Sequence, residues 1–306
     1  MTDVAPNPQS STSSAVLVLG GNARLGNFLS LGWCANRAKP TPFDRVWQMR
    51  EGGKITAASQ DIRLFDPLQD APALNKAAKG ATAILNLAGV VPGRGAGQDL
   101  SLNTDLAMAA LHAAQESGVA DVFLLSSAAV YGASTDDAAL KESRALTPAA
   151  PYGHAKAEME EAALKFAAQN PEVGVHILRL GNVAGADMLL SGLQQGKPVT
   201  LDQFANGAFP RRSYMGPKTM ADVFAQLLSN PADVPQILNI ATPTPVGMDE
   251  LLVAAGIKYQ TRVASAGALP CVALCTQHLE RLFDFTPAQS TAQHMVDEWQ
   301  ALKDRL

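Results

Sequence analysis

Cysteine is scarce in this chain, which contains only Cys34, Cys271 and Cys275 among 306 residues. An odd and sparse set argues against a disulfide framework and favours a reducing compartment, so we expect a cytoplasmic protein. Cys271 and Cys275 are four residues apart and would share a helix face. Because no histidine or further cysteine cluster completes a tetrahedral site, we interpret them as buried thiols and expect no metal.

Long apolar runs and excess positive charge are also absent. No apolar run reaches the ~18 residues that a membrane-spanning helix needs, so we expect no membrane partner. Residues 1–14 are polar and lack the features of a signal peptide, which predicts a disordered tail. Lysine and arginine number 24 against 28 acidic residues, a net charge of −4. With no basic stripe, we expect no nucleic-acid partner.

What the chain does contain is a regular alternation of short apolar segments and helical segments, which is typical of parallel βαβ units. Continuous apolar strands imply a sheet that is covered on both faces. The sequence therefore predicts an α/β fold with a Rossmann-type doubly wound parallel sheet. The predicted strands are residues 15–19, 45–49, 55–64, 83–87, 121–125, 174–178 and 236–240. The predicted helices lie near residues 25–37, 71–78, 100–117 and 152–169.

The first strand leads directly into a glycine-rich turn that runs from Gly20 to Gly26. Gly20 and Gly26 hold the outer positions of a G-x-x-G-x-x-G spacing, and Ala23 holds the middle one. Small residues let the backbone approach a pyrophosphate, whose charge lies at the N-terminus of the following helix. A turn that serves only chain geometry is the alternative. The predicted dinucleotide contacts in this turn are Gly20, Asn22, Ala23, Arg24, Leu25 and Gly26.

The residue after the second strand indicates which dinucleotide is bound. An aspartate there would favour NAD through the ribose 2′-hydroxyl, whereas an arginine suits the 2′-phosphate of NADP. This strand is followed by Arg50, and Arg24 in the glycine-rich turn is a candidate second cation. Glu51 would take the acidic role if the register were shifted by one residue. We therefore predict NADP, with NAD as the alternative.

The chain is expected to divide after about residue 182, where glycine, proline and short mixed segments replace the alternation. We predict an NAD(P)-binding Rossmann domain over residues 15–182. Residues 183–306 would form mainly a substrate-binding lobe, with a strand near 236–240 returning to the sheet. Such a lobe would cover the carboxyl ends of the strands, where open α/β sheets bind ligands.

Tyr152 and Lys156 are four residues apart in a predicted helix and would share one face. Two charges about 4 Å apart interact by roughly 4 kcal/mol at an effective dielectric near 20. At about 1.36 kcal/mol per unit, Lys156 would lower the pKa of Tyr152 from about 10 to near 7. A group with that pKa is well suited to general acid–base catalysis at neutral pH.

Six motifs in order resemble the extended short-chain dehydrogenase/reductase family, in its NAD(P)-dependent epimerase/dehydratase branch. The resemblance covers residues 16–185, with a weaker similarity to residue 221. The motifs are residues 84–89, Asn103-Thr104 in a helix that leads to residues 116–119, residues 123–132, the Tyr152/Lys156 pair, residues 178–185, and Asp66 after the third strand.

The resemblance implies roles for these residues. Ser127 would hydrogen-bond the substrate oxygen, Tyr152 would exchange a proton with it during hydride transfer, and Lys156 would hold the ribose of the cofactor. Asn103 would contact the cofactor, or instead tether a helix or a water. Asp66 would contact the adenine, or instead cap a helix before Pro67. The end of the fourth strand that would lie along the cofactor comprises Leu87, Ala88 and Gly89.

The resemblance also bears on the substrate. In sugar-nucleotide members of the family, residues placed like Asn182 and Arg212 contact a diphosphate. Residues 216–219 depart from the family's pattern, and few aromatics are available to stack on a uracil base. A surface cation near a sheet edge is the alternative for Arg212.

The predicted function is an NAD(P)-dependent oxidoreductase or epimerase that transfers a hydride at a secondary alcohol or ketone, with a nucleotide sugar as a candidate substrate. A non-catalytic NAD(P)-binding regulatory or assembly protein is the alternative. Because residues 126–129 contain no acidic pair, a dehydratase is disfavoured. A homodimer is expected, with an interface formed by the helices at residues 100–117 and 152–169.

Overall fold

A parallel sheet of seven strands forms the centre of the protein. The computed structural model describes residues 14–35, 40–52, 61–92, 98–132, 138–191 and 199–305. The strands are β1 (Ala15–Leu19), β2 (Asp44–Met49), β3 (Asp61–Leu64), β4 (Ala81–Asn86), β5 (Asp121–Ser127), β6 (Gly174–Leu180), β7 (Asn182–Val183), β8 (Val199–Gln203), β9 (Arg211–Arg212), β10 (Tyr214–Met215), β11 (Ile237–Ile240), β12 (Val246–Gly247), β13 (Tyr259–Val263) and β14 (Cys271–Val272). The order across the sheet is β3-β2-β1-β4-β5-β6-β11, and every adjacent pair is parallel. The predicted α/β doubly wound fold is confirmed.

Helices cover both faces of this sheet. They are α1 (Arg24–Ala35), α2 (Ala71–Ala78), α3 (Leu102–Ser117), α4 (Pro151–Gln169), α5 (Met188–Ser191), α6 (Pro217–Ser229), α7 (Met248–Ala254) and α8 (Ala292–Lys303). In β1, Val16 and Val18 join the core under α1 and α6, whereas Leu17 and Leu19 join the core under α2, α3 and α4. Each side chain is fully buried, which contributes about 1.5–3 kcal/mol per residue.

Most predicted elements are found within two residues of their predicted ends. β3 is described from Asp61 onwards. Residues 55–60 of the predicted strand 55–64 lie outside the described part of the chain, as do residues 36–37 of the first predicted helix. β5 and β6 each continue two residues beyond the prediction, and Ser126 and Ser127 pair with Arg179 and Leu180. These extra residues extend the sheet towards its carboxyl edge.

The second half of the chain adds small sheets at that edge. β10 pairs with β7, β12 and β14 flank β9, and β13 pairs with β8. A separate core lies here, and Tyr214 and Met295 are among its buried residues. Within the described ranges, no helix combines the length and the apolar character needed to cross a bilayer.

The expectation about the two neighbouring cysteines needs revision. Cys271 lies on β14, so the predicted helix face shared with Cys275 is wrong, and both thiols are free and only partly buried. The alanine-rich faces of the two helices serve packing within the chain, because α3 and α4 contact each other and their alanines fill the core. The buried alanines that these two helices contribute to that core are Ala107, Ala110, Ala113, Ala114 and Ala163. The homodimer stays a prediction.

Candidate active site

The glycine-rich turn lies at the carboxyl end of β1 and requires glycine for two different reasons. Gly20 has φ +82°, and a Cβ there would lie 2.7 Å from the backbone nitrogen of Ala88. A Cβ on Gly26 would lie 2.4 Å from the carbonyl oxygen of Gly20. Ala23 closes the turn, since its N–H donates to Gly20 O at 3.0 Å. No described non-glycine residue has a positive φ, so Ala23 fits its position without strain.

A buried side chain that sequence reasoning missed holds this turn in place. Gln48 lies in β2 and is only 1% exposed. Its Oε1 accepts from the N–H of Gly20 at 2.9 Å, and its Nε2 donates to the carbonyl of Phe65 at 2.5 Å. The signal in the sequence was a polar amide inside an apolar strand. Gln48 therefore joins the glycine-rich turn to the end of β3.

A cleft of about 350 Å³ opens beside this turn, where β2 and β3 end. It is lined by Arg50, Glu51 and Asp66, together with Leu64, Phe65 and Asp70. β2 ends at Met49, so the predicted register is confirmed and Arg50 is the first residue beyond the strand. Asn22 also reaches this edge, since its Nδ2 donates to Arg50 O at 3.0 Å. The cleft thus presents one cation and three carboxylates to a ligand.

Two of the residues assigned to the cofactor have additional contacts. The carboxylate of Asp66 lines the cleft and also accepts a hydrogen bond from the N–H of Leu68 at 2.9 Å, which stabilises the turn that follows. The residue that caps the N-terminus of α2 is Asp70, so Asp66 is not the helix cap. Arg24 is not among the residues that line this cleft. Its Nη1 donates instead to Ala186 O at 3.1 Å, because α1 begins beside the segment that follows β7. The role of Arg24 as a second cation for a 2′-phosphate stays a prediction.

The carboxyl end of β5 brings Ser127 and Tyr152 together. Ser127 caps the 3₁₀ turn Ala128–Tyr131, and its Oγ accepts from Ala129 N at 3.2 Å. Tyr152 is the second residue of α4 and shares a side-chain hydrogen bond with Ser127. A Cβ on Gly153 would lie 2.5 Å from Ala129 O, so α4 can approach the turn this closely only with glycine at that position. The local sequence thus places the phenol against the serine.

The charge states differ from the prediction made from the sequence. Burial raises the pKa of Tyr152, and the hydrogen bond with Ser127 opposes that rise. Burial lowers the pKa of Lys156 to about 8, while the Glu160 carboxylate acts to raise it. The ammonium of Lys156 donates to the carbonyl of Leu125 at 2.8 Å. The prediction that Lys156 lowers the pKa of Tyr152 is wrong for this structure, because desolvation is the dominant effect on both groups.

Lys156 also lies near the end of β4 and the start of α3. A Cβ on Gly89 would lie 2.9 Å from Asn103 Oδ1 and 3.5 Å from Lys156 Nζ, so the backbone of Gly89 faces both side chains. Asn103 is buried; its Oδ1 accepts from Val90 N, and its Nδ2 donates to the carbonyls of Val90 and Leu100. These bonds support the alternative in which Asn103 tethers a helix. Leu87 is buried and Ala88 partly buried beside them.

The two residues assigned to the substrate lie close together in the second half of the chain. Asn182 on β7 pairs with Tyr214, two residues beyond Arg212. The Arg212 guanidinium donates to the carbonyls of Arg211 at 2.8 Å and Leu269 at 3.0 Å, and burial lowers its pKa. Arg212 is therefore an anchored and partly buried cation. Residues 216–219, which depart from the family's sequence pattern, form the start of α6. The carboxylate of Glu298 caps the N-terminus of this helix.

Comparisons with known proteins agree with this arrangement. The model of the NAD dependent epimerase/dehydratase family matches residues 16–241. The UDP-glucose 4-epimerase of Brucella ovis, solved in complex with NAD, is 18% identical with a TM-score of 0.77, and the match covers 93% of this chain and 96% of that one. The UDP-Glc/GlcNAc 4-epimerase of Campylobacter jejuni is 17% identical with a TM-score of 0.77, over 96% and 100%.

A further solved structure is the dTDP-glucose 4,6-dehydratase of Bacillus anthracis in complex with NAD. It is 14% identical with a TM-score of 0.73, and the match covers 95% of this chain and 98% of that one. No curated protein sequence matches the chain. At these identities, the similarity to solved structures establishes the fold.

Proposed function

The chain belongs to the NAD dependent epimerase/dehydratase family and is an enzyme that uses a nicotinamide cofactor; we propose that it transfers a hydride at a secondary alcohol or ketone of a nucleotide sugar. Tyr152 is the proposed general acid and base, Ser127 orients the substrate oxygen, and Lys156 holds the cofactor ribose. The observation that carries the proposal is that Tyr152 and Lys156 of α4 both meet the carboxyl end of β5, where Lys156 donates to Leu125 O at 2.8 Å and Ser127 interacts with the phenol of Tyr152.

The residues at the edge of the sheet fit a dinucleotide. Gly20 and Gly26 allow the backbone to pack as tightly as a dinucleotide-binding turn requires, and the cleft at the ends of β2 and β3 is the proposed adenosine site. The nicotinamide supplies the hydride acceptor and donor when the cofactor is bound. Asn22 and the N-terminus of α1 would face the pyrophosphate, with Asp66 at the adenine.

The protonation state of Tyr152 indicates in which direction it can transfer a proton first. Because burial raises its pKa, the phenol is neutral at neutral pH and can donate a proton to a ketone oxygen. Ser127 lies within hydrogen-bonding distance of the phenol and would hold that oxygen in line. In the reverse direction, the tyrosinate would need stabilisation, and the interaction with Ser127, which acts to lower the pKa of Tyr152, is the proposed source.

A Tyr152→Phe variant tests the role of the phenol. The ring and its packing remain, so the affinity for the cofactor should be unchanged, while turnover should fall by about 10²–10⁴-fold, as is typical of losing a general acid–base group. Cofactor affinity by fluorescence titration and turnover of a nucleotide-sugar panel would be measured in parallel. Equal turnover by the wild-type enzyme and the variant would reject Tyr152 as the acid and base.

The nucleotide-sugar substrate is proposed from three features together. The solved relatives named above are sugar-nucleotide epimerases and a dehydratase by their descriptions. Asn182 on β7 pairs with Tyr214 on β10, two residues along the chain from the anchored Arg212, and a guanidinium is suited to a diphosphate. Turnover of simple ketones but of no UDP- or dTDP-sugar would reject this substrate class and leave a reductase.

We further propose that Arg50 makes NADP the preferred cofactor and that the three carboxylates of the cleft keep this preference small. A 2′-phosphate would gain a charge-assisted bond from Arg50 but would face Glu51 and Asp66 as well. An Arg50→Asp variant should shift the preference towards NAD by about 1–3 kcal/mol. Arg305→Asp, an exposed change at the end of the chain, is the charge-matched control. An unchanged ratio of NADP to NAD affinity in Arg50→Asp would reject Arg50 as the determinant.

A further inference from the structure

A buried ion pair contacts Ser126, the residue that precedes Ser127. The side chains of Glu160 on α4 and Arg179 on β6 are 1% and 3% exposed, and Arg179 Nη2 donates to Glu160 Oε2 at 2.7 Å. Arg179 Nε adds bonds to both carboxylate oxygens at 3.1 and 3.2 Å. A buried pair of this kind is tolerated only when its remaining donors and acceptors are also satisfied.

Those remaining bonds connect the pair to the active-site turn. Glu160 Oε1 accepts from the hydroxyl of Ser126 at 2.5 Å. Arg179 Nη1 donates to the hydroxyl of Tyr131 at 2.9 Å and to Glu142 O at 3.0 Å. Ser126 and Arg179 face each other in the register of β5 and β6, so the Glu160 carboxylate binds both strands at one point.

Glu160 lies on the same face of α4 as the proposed catalytic residues. Tyr152, Lys156 and Glu160 are spaced by four, so they lie on one helix face. Each of them contacts one of the last three residues of β5. Tyr152 bonds the side chain of Ser127, Lys156 donates to Leu125 O at 2.8 Å, and Glu160 accepts from Ser126 at 2.5 Å.

We propose that Glu160 is a positioning residue for the hydride-transfer site. Its carboxylate fixes the end of β5 through Ser126, which sets the place of Ser127, and its charge balances the ammonium of Lys156. The proposal rests on the proposed roles of Ser127, Tyr152 and Lys156.

The charge of Glu160 gives the proposal a distinctive signature. Burial lowers the pKa of Lys156 to about 8, and the Glu160 carboxylate opposes that lowering. Without this charge the pKa of Lys156 falls further, so the ammonium is lost at a lower pH. The titratable and charged groups nearest this cluster include Tyr152 on α4, Tyr131 in the 3₁₀ turn, Arg179 on β6, and Glu142 with its neighbour His278. One cleft lined by Glu160 and Arg179 also contains Arg144, His154, Glu158 and Glu161.

A Glu160→Gln variant removes the charge and keeps the shape of the side chain. We expect kcat per active site to fall by roughly ten- to a hundredfold, the scale of a small misplacement of a reacting group. We also expect the alkaline limb of the pH–rate profile to move to lower pH, with little change in the substrate KM. Glu161→Gln on the exposed face of the same helix is the matched control and should change neither quantity.

A Ser126→Ala variant separates the hydrogen bond from the charge and avoids leaving a buried cation unpaired. It should lower kcat per active site while the alkaline limb stays in place. Wild-type kcat and an unmoved alkaline limb in folded Glu160→Gln would overturn the proposal. If Glu160→Gln does not fold, wild-type kcat in Ser126→Ala would overturn it. Turnover retained by Tyr152→Phe, measured beside these variants, would instead identify a failure of the proposed function.

Discussion

Replacing Gln48 by leucine tests the claim that one buried amide organises the cofactor site. The substitution keeps a similar volume but removes the bonds to Gly20 N–H at 2.9 Å and to Phe65 O at 2.5 Å. Each buried backbone group left without a partner costs about 1–3 kcal/mol, and the apolar leucine offsets part of that cost. We therefore expect the free energy of unfolding to fall by about 2–4 kcal/mol.

The same substitution should weaken cofactor binding beyond its effect on stability, because the N–H of Gly20 would no longer be held against β2. Urea unfolding and dinucleotide titration, both followed by tryptophan fluorescence, measure the two effects. Trp47 is a suitable reporter, since a Cβ on Gly21 would lie only 3.0 Å from its ring. Gln260→Leu on the exposed face of β13 is the matched control. Wild-type stability and affinity in Gln48→Leu would refute the reasoning.

Three further substitutions follow from single contacts. Gly26→Ala should abolish dinucleotide binding in a titration, because its Cβ would meet a carbonyl oxygen at 2.4 Å, whereas Gly267→Ala has open space and should bind normally. Glu298→Gln should lower the urea-unfolding free energy by about 1–2 kcal/mol, because its carboxylate caps α6, and exposed Asp297→Asn should not. Since the pKa of Lys156 is lowered from 10.5 to about 8 in the folded state, the unfolded chain binds more protons between these values, and stability should rise with pH there. Lys156→Met should lack that rise.

Each of these three predictions would be contradicted by a specific result. Normal dinucleotide affinity in Gly26→Ala would mean that the turn tolerates a side chain. If Glu298→Gln and Asp297→Asn lowered the free energy of unfolding equally, the loss would come from the change in net charge, and Glu298 would not act as a helix cap. Identical dependence of unfolding free energy on pH in the wild-type chain and Lys156→Met would mean that Lys156 is not the group that titrates.

The sequence was informative wherever structure depends on neighbours along the chain. The glycine-rich turn and the Tyr152/Lys156 spacing are local patterns, and the structure places both at the same edge of the sheet. The predicted ends of β5 and β6 were too early because Ser126 and Arg179 are polar. Their polarity is satisfied by Glu160, so the strands continue where a hydrophobic pattern alone indicates a loop.

The residues that sequence reasoning missed depend on partners that are distant in the chain. Gln48 bonds a residue 28 positions away, Arg179 one 19 positions away, and Glu298 one 79 positions away. A local sequence pattern does not indicate such contacts, because the two residues of each pair come together only in the folded protein. The pKa of Tyr152 was mispredicted for a related reason, since the extent of its burial is a property of the packed structure.

Native mass spectrometry of the purified protein, before and after addition of NADPH or NADH, tests the central claim most directly. We expect one dinucleotide for each chain. A cofactor already bound at purification would indicate the epimerase cycle, and one that binds only on addition would indicate a reductase. The measured mass would also report whether the protein is a dimer. A chain that binds neither dinucleotide would contradict the proposed site and the enzyme function built upon it.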